Sequence, residues 1–291
     1  MNGERLEQVV SRLKDLPTLP SVVSEIVKIV DSPTTSASDL TKAISIDQAL
    51  SAKVLKLVNS AFYGFPKKIE TLTHAIVILG FNTVRSLALS ISVLDFFSRR
   101  GARQQLNYVG FWQHSIGCSI LARVIAKQAF PSIAEESFVA GLLHDIGILI
   151  NDQFFPSDFS KALDLMKEQN LHLYKAEQNV LGFNHASVGR MLAEKWNLPD
   201  ALLYAIAYHH DPLPSRDFYP ITATIHAANV GVKVLKIGRV GDEDFVRTFH
   251  IREEARRILK LHIDFPENHR EVMENLMKES EPFLEVVTGK G

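Results

Sequence analysis

Gly141-Leu-Leu-His144-Asp145-Ile-Gly147 places a histidine and a carboxylate side by side within apolar sequence. On a helix the two side chains leave the axis about 100° apart. Their different reach lets both meet one cation held between helices, and the flanking glycines leave room for close approach. The reading of this stretch depends on what surrounds it. Val22, Ile26, Val27 and Val30 recur at helical spacing, as do Leu50, Val54, Leu55 and Val58, and Phe111, Ile116, Ile120 and Val124. A helical period throughout, with no sustained alternating run between turn dipeptides, predicts an all-α protein of about a dozen helices with short connections. Start signals agree. Ser36-Ala-Ser-Asp39 has the form of a capping box. Asn184 is placed to cap a helix from His185 to Trp196. Pro199 and Asp200 occupy a first turn ahead of Leu202, Leu203 and Ile206.

Further polar residues stand in apolar helical surroundings. His114 lies among Phe111, Trp112 and Ile116. His185 opens a later helix, and His209 and His210 end the helix Ala201–Tyr208. Asn229 follows Ala227-Ala228 on a helix that begins near Tyr219. Burying such groups on separate helices without a shared partner costs several kcal/mol each at the upper end, roughly 2–7 kcal/mol. Convergence on a metal removes that cost. An imidazole-rich set with one carboxylate suits a divalent transition metal, Fe, Mn, Zn or Ni, in preference to Mg.

Composition narrows the alternatives. The 291 residues are 46% hydrophobic, enough for a sizeable core. The net charge is -1, which gives no electrostatic footprint for nucleic acid or an anionic membrane. Cys118 is the only cysteine, so an internal disulfide framework and a multi-cysteine zinc site are excluded, while 11 histidines are available as ligands. The apolar stretch Ser86–Phe97 contains Ser90, Ser92 and Asp95 and is too short to span a bilayer. The N-terminus has charges with no apolar run behind them, so it does not read as a signal peptide. A cytoplasmic location is expected. Residues 39–47 and 48–59 resemble a helix-turn-helix with Lys53 and Lys56 toward phosphate, but Leu50, Val54, Leu55 and Val58 give the second helix to the core. No GxxxxGK[ST] or GxGxxG phosphate loop and no nucleophile elbow is present.

Two joints divide the chain. Arg99–Gln105 is a polar break between apolar helices, and Lys236–Asp244 is rich in glycine and charge. Beyond the second joint, 20 of 51 residues are charged, against 45 of 240 before it. The expected division is an N-terminal helical lobe over 1–100, a metal-binding lobe over 101–240 and a solvated, charged helical appendage over 241–291.

His114, then His144-Asp145, then a polar residue at Asn229 resembles the pattern of the HD superfamily of metal-dependent phosphohydrolases. The wider set of motifs resembles the HDOD domain family. It comprises Leu16-Pro-Thr-Leu-Pro20, Val54-Leu-Lys-Leu-Val-Asn-Ser60 with Phe62-Tyr63-Gly64, and Ala75-Ile-Val-Ile-Leu-Gly80. Glu177, Gly182-Phe-Asn-His185, Val188-Gly189, Trp196-Asn-Leu-Pro199 and Ile206 to His210 complete it, across roughly residues 10–235. The resemblance implies an HD-like lobe packed on an N-terminal helical lobe, in a bacterial signalling module often joined to receiver or sensory domains. It also implies that His114, His144, Asp145, His185, His209 and His210 match metal-binding positions of the HD-GYP phosphodiesterases of cyclic di-GMP.

Three departures from those enzymes stand out. Asn229 replaces the closing Asp and brings no negative charge. Ile148 stands where a Lys follows the His-Asp motif. The segment Asp211–Pro220 has no glycine where a GYP motif would fall. The expected function is therefore a signal-transduction module acting by binding a signalling protein or a small phosphate ligand. A metal-dependent phosphohydrolase acting on a nucleotide or cyclic dinucleotide is the alternative. Homo-oligomerisation is compatible with either.

Overall fold

The computed structural model describes residues 24–26, 36–60, 63–98, 106–238, 249–281 and 284–285. The 16–20 motif, the 99–105 joint, most of the 236–244 joint and Phe62 lie outside them. Among the described residues every regular element is helical, as the periodicity predicts.

Four helices form the N-terminal part: α1 (Ala37–Ser45), α2 (Gln48–Val58), α3 (Leu72–Leu79) and α4 (Phe81–Ser98). The capping box at α1 is present, with the Asp39 backbone N–H donating to Ser36 Oγ and Ser36 N–H donating back to Asp39 Oδ2. Asp47 caps α2 by accepting from the Leu50 N–H at 3.0 Å. The motif residue Asn59 is a clamp: its amide donates to the carbonyls of Leu55 and Ile69, and its oxygen accepts from the Ile69 N–H at 2.7 Å. That clamp fixes the loop leading into α3. Lys53 pairs with Asp95, and Lys56 pairs with Glu285 at 3.1 Å. Both lysines of the helix-turn-helix reading are thus held by carboxylates of this chain.

The second part is built around the long helix α5 (Tyr108–Ala129), followed by α6 (Ala134–Leu143), α7 (Ile146–Phe154), α8 (Pro156–Gln169), α9 (Leu173–Leu181), α10 (His185–Lys195), α11 (Asp200–Tyr208) and α12 (Tyr219–Val234). Helix α5 packs against α6 and α12, and α10 packs against α7 and α11. Nearly every inward residue of α5 from Gly110 to Ala126 is buried. The two parts meet where α4 lies on α6, and Phe96 and Phe97 pack against Trp196 with ring centroids 5.7 and 6.1 Å apart.

The charged C-terminal stretch does not stand off in solvent. Helices α13 (Glu253–Ile258) and α14 (Arg270–Glu279) pack on α12 and α5 respectively. Ala255, Leu259, Phe265 and Met273 are buried in the common core. In α13 and α14 the charges occupy the outer face of amphipathic helices whose narrow apolar stripe is hidden in a residue count. No described helix is long and apolar enough to cross a membrane.

Candidate metal centre

The structure corrects one sequence expectation at the outset: His144 and Asp145 are not carried on a continuous helix. Helix α6 ends at Leu143 and α7 begins at Ile146, so the pair forms the turn between them. Asp145 sits at φ -98°, ψ 14°, which redirects the chain. Both side chains consequently point into the space enclosed by α5, α10, α11 and α12.

Two glycines make the approach of those helices possible. A Cβ on Gly147 would lie 1.9 Å from the His185 carbonyl oxygen, so α7 and α10 touch backbone to backbone beside the site. A Cβ on Gly141 would lie 2.6 Å from the Cα of Ser119, so α6 and α5 do the same. The first contact sets His185 against Asp145, and the second sets His144 against His114.

Asp145 is the hub. Its Oδ2 lies 3.1 Å from His144 Nε2 and 3.5 Å from His114 Nε2. Its Oδ1 lies 3.2 Å from His209 Nε2 and 3.3 Å from His185 Nε2. His210 joins through its Nε2, 2.8 Å from His185 Nε2. Two donor sets therefore share one carboxylate: His114, His144 and Asp145, and Asp145, His185, His209 and His210, with the ligand atoms of each set within 4.8 Å of one another. Asn229, on the inner face of α12, lines the same pocket. Of the seven residues singled out from the sequence, Asp145, His185, His209, His210 and Asn229 line one cavity, and His114 and His144 lie behind it against Asp145 Oδ2.

Fit to a cation is visible in what the donors lack. His144 Nε2, His209 Nε2, Asp145 Oδ1 and Asn229 Oδ1 are buried and make no hydrogen bond of acceptable geometry. Leaving such atoms unsatisfied is costly, and their convergence is what a metal site requires. The outward nitrogens are satisfied and fix the rings. His144 Nδ1 lies 2.7 Å from the Gly141 carbonyl and His209 Nδ1 lies 2.9 Å from the Ile206 carbonyl, each an N–H donor that leaves Nε2 free to ligate.

Glu177, which the sequence marks through the family pattern, orients His185. Fully buried on α9, it accepts from His185 Nδ1 at 2.5 Å and from the His185 backbone N–H at 2.9 Å. Asn151 on α7 donates to its other oxygen at 2.9 Å. A carboxylate among Ala176, Val180 and Leu181 is the sequence signal that marks it. His226 holds the next layer: its Nδ1 lies 2.8 Å from the His209 carbonyl, and its Nε2 accepts from the Arg252 N–H at 3.2 Å. No local pattern distinguishes His226 from a core residue.

The charge state follows from these contacts. Burial opposes ionisation of His144, but the Asp145 carboxylate outweighs it and holds the imidazole well above its ordinary value. For His185, burial is likewise overcome by Glu177, and the value rises to about 9. Burial alone dominates at His209, pushed down to about 4, and at His210, which also feels His209 and His185. Asp145 stays ionised, since His144 outweighs the burial that would raise it.

An all-α fold whose second part gathers five histidines around a buried carboxylate defines an HD-like helical protein with a metal-competent centre. A model of the HDOD domain matches residues 16–212, and the chain belongs to that family. It is 29% identical over 232 residues to an uncharacterized protein of Treponema pallidum (strain Nichols); the match takes in 78% of this chain and 44% of the relative, so the chain spans less than half of that protein. An HDOD domain protein with unknown function from Geobacter sulfurreducens superposes with a TM-score of 0.71 at 25% identity, covering 98% of this chain and 97% of the other. A candidate phosphohydrolase from Shewanella amazonensis SB2B superposes with a TM-score of 0.70 at 20% identity, covering 96% of each chain. The latter likeness is one of fold.

Proposed function

We propose that this chain is a metal-bearing HDOD regulatory module that acts by binding a ligand or a protein partner at the HD-type centre and not by turnover. The observation that carries the proposal is the Asp145 hub, with four imidazole nitrogens within 3.5 Å of its two oxygens. In this reading His114, His144, Asp145, His185, His209, His210 and Asn229 hold one or two divalent ions, with Asp145 offering one oxygen to each donor set. The imidazole-rich donors favour Fe, Mn, Zn or Ni. Such an ion supplies Lewis acidity and an attachment point for an anionic oxygen.

Support for binding without turnover comes from the pocket wall. Ile148, at the position of the missing lysine, is buried and lines the pocket. Asn229 supplies a neutral oxygen where a carboxylate would stand. The segment after the His pair folds as two short 3-10 turns within Leu213–Phe218, kinked at Arg216 and free of glycine. Removing one positioned charge in a dry site costs about 3–4 kcal/mol of transition-state stabilisation, a hundredfold or more in rate. The completeness of the two donor sets favours a second reading, a metal-dependent phosphohydrolase, and the fold shared with the Shewanella protein is compatible with it.

An assay of cyclic di-GMP hydrolysis by protein loaded with Mn or with Fe under anaerobic conditions separates the two. The regulatory reading expects negligible turnover by the wild type. Turnover on the order of 1 s⁻¹, within the ordinary enzyme range, establishes the hydrolase instead.

A further inference from the structure

The metal-competent centre opens into a cavity of about 220 Å³ that also exposes Ile148, Tyr174, Lys233, Phe249 and His250. Among the described residues that line it, Asp145 is the one carboxylate, against six histidines and one lysine. Lys233 lies four residues after Asn229 on α12, so the two side chains share a helix face. Among the described residues Lys233 enters no ion pair; its Nζ lies 5.8 Å from the centroid of the Phe249 ring. A half-buried ammonium with an aromatic neighbour thus stands beside the metal-competent cluster and faces the cavity.

We infer that Lys233 is the anion-binding residue of this pocket and that the ligand it receives is a phosphate monoester or a related phosphoryl dianion. The inference rests on the proposed HD-type reading of the site and deepens it. One phosphoryl oxygen would meet the metal centre and another the Lys233 ammonium, entering from α12 and not from the α7 position that Ile148 occupies. The Phe249 ring faces the Lys233 ammonium in a cation–π contact. Capture of the anion in this way needs no charge at position 148.

The test is calorimetric titration of the full-length, Mn-loaded protein with phenylphosphonate, a dianion that resists hydrolysis, with metal content of every sample measured by elemental analysis. Wild type and Lys233→Arg are expected to bind within about threefold of each other. Lys233→Met is expected to lose tenfold or more in affinity, as deletion of a charge-assisted contact does, while keeping its metal. Equal binding by Lys233→Met and wild type at equal metal content overturns the inference, as does absence of binding by metal-loaded wild type. If the wild type takes up no metal, the metal reading fails separately. The same titration on that protein then sustains the inference if binding still depends on Lys233 and overturns it if it does not.

Discussion

The Glu177 carboxylate, 2.5 Å from His185 Nδ1, decides which nitrogen of that ring faces Asp145. It keeps the hydrogen on Nδ1 and turns Nε2 inward, and it raises the imidazole value from 6.5 to about 9. Glu177→Gln retains the shape but removes the charge and one of the two acceptor oxygens. Metal affinity is expected to fall about 10–100-fold, as for other partners of ligating histidines; an unchanged affinity in a chelator competition would show that Glu177 serves packing alone. A pH dependence follows from the same pair. The folded-state value lies above the ordinary one, so the stabilisation is complete below about 6.5 and is lost as pH rises through about 9. His144 is raised for the same kind of reason and acts with the same sign. Chelator-treated protein should therefore lose melting temperature between pH 6.5 and 9. Metal-loaded protein, in which the ion replaces those protons, should not. Parallel pH profiles for the two forms would contradict the assignment. At this scale the sequence reveals the residues that cluster, because a histidine in an apolar helix is conspicuous. It conceals the residues that aim them: Glu177 is eight positions from His185 in sequence, and His226 meets His209 only through a tertiary contact.

The helices bring those residues together through glycine contacts, and the most severe is Gly147 against the His185 carbonyl. Gly147→Ala must push α7 away from α10. Overpacking of this kind costs about 1–3 kcal/mol, and the displacement falls on the Asp145–His185 pair. Lower stability in urea unfolding and lower metal occupancy are both expected; loss of stability with full occupancy would mean that the site tolerates the shift. The His144-Asp145 turn explains why the helical reading of that stretch was incomplete. Both residues have local conformations near the helical region, so hydrophobic periodicity runs through the break without a gap, and only the tertiary path shows that α6 and α7 are separate. The capping signals at Ser36 and Asn184 depend on neighbours three residues away and were legible for that reason. The C-terminal helices show the opposite case. Their buried Ala255, Leu259, Phe265 and Met273 are spread thinly among charges, and a composition count reads such a segment as solvated.

Across the whole molecule, the N-terminal helices lean on α6 and Trp196, while α13 and α14 close over α12 and α5. The centre is thus enclosed by elements drawn from residues 108 to 234 and backed from both termini. The Arg252 N–H reaches His226, and His226 reaches the carbonyl of His209, so the C-terminal segment is coupled to the donor set. An ion bound only by the folded chain adds stability that grows with its concentration over its dissociation constant, about 2.7 kcal/mol at a hundredfold excess. Elemental analysis of wild-type protein purified without added metal decides whether this enclosure holds an ion. At least one Fe, Mn, Zn or Ni ion per chain is expected, removable by chelator and restored on adding the ion back. Protein that is metal-free as purified and takes up none of these ions at micromolar excess would contradict it.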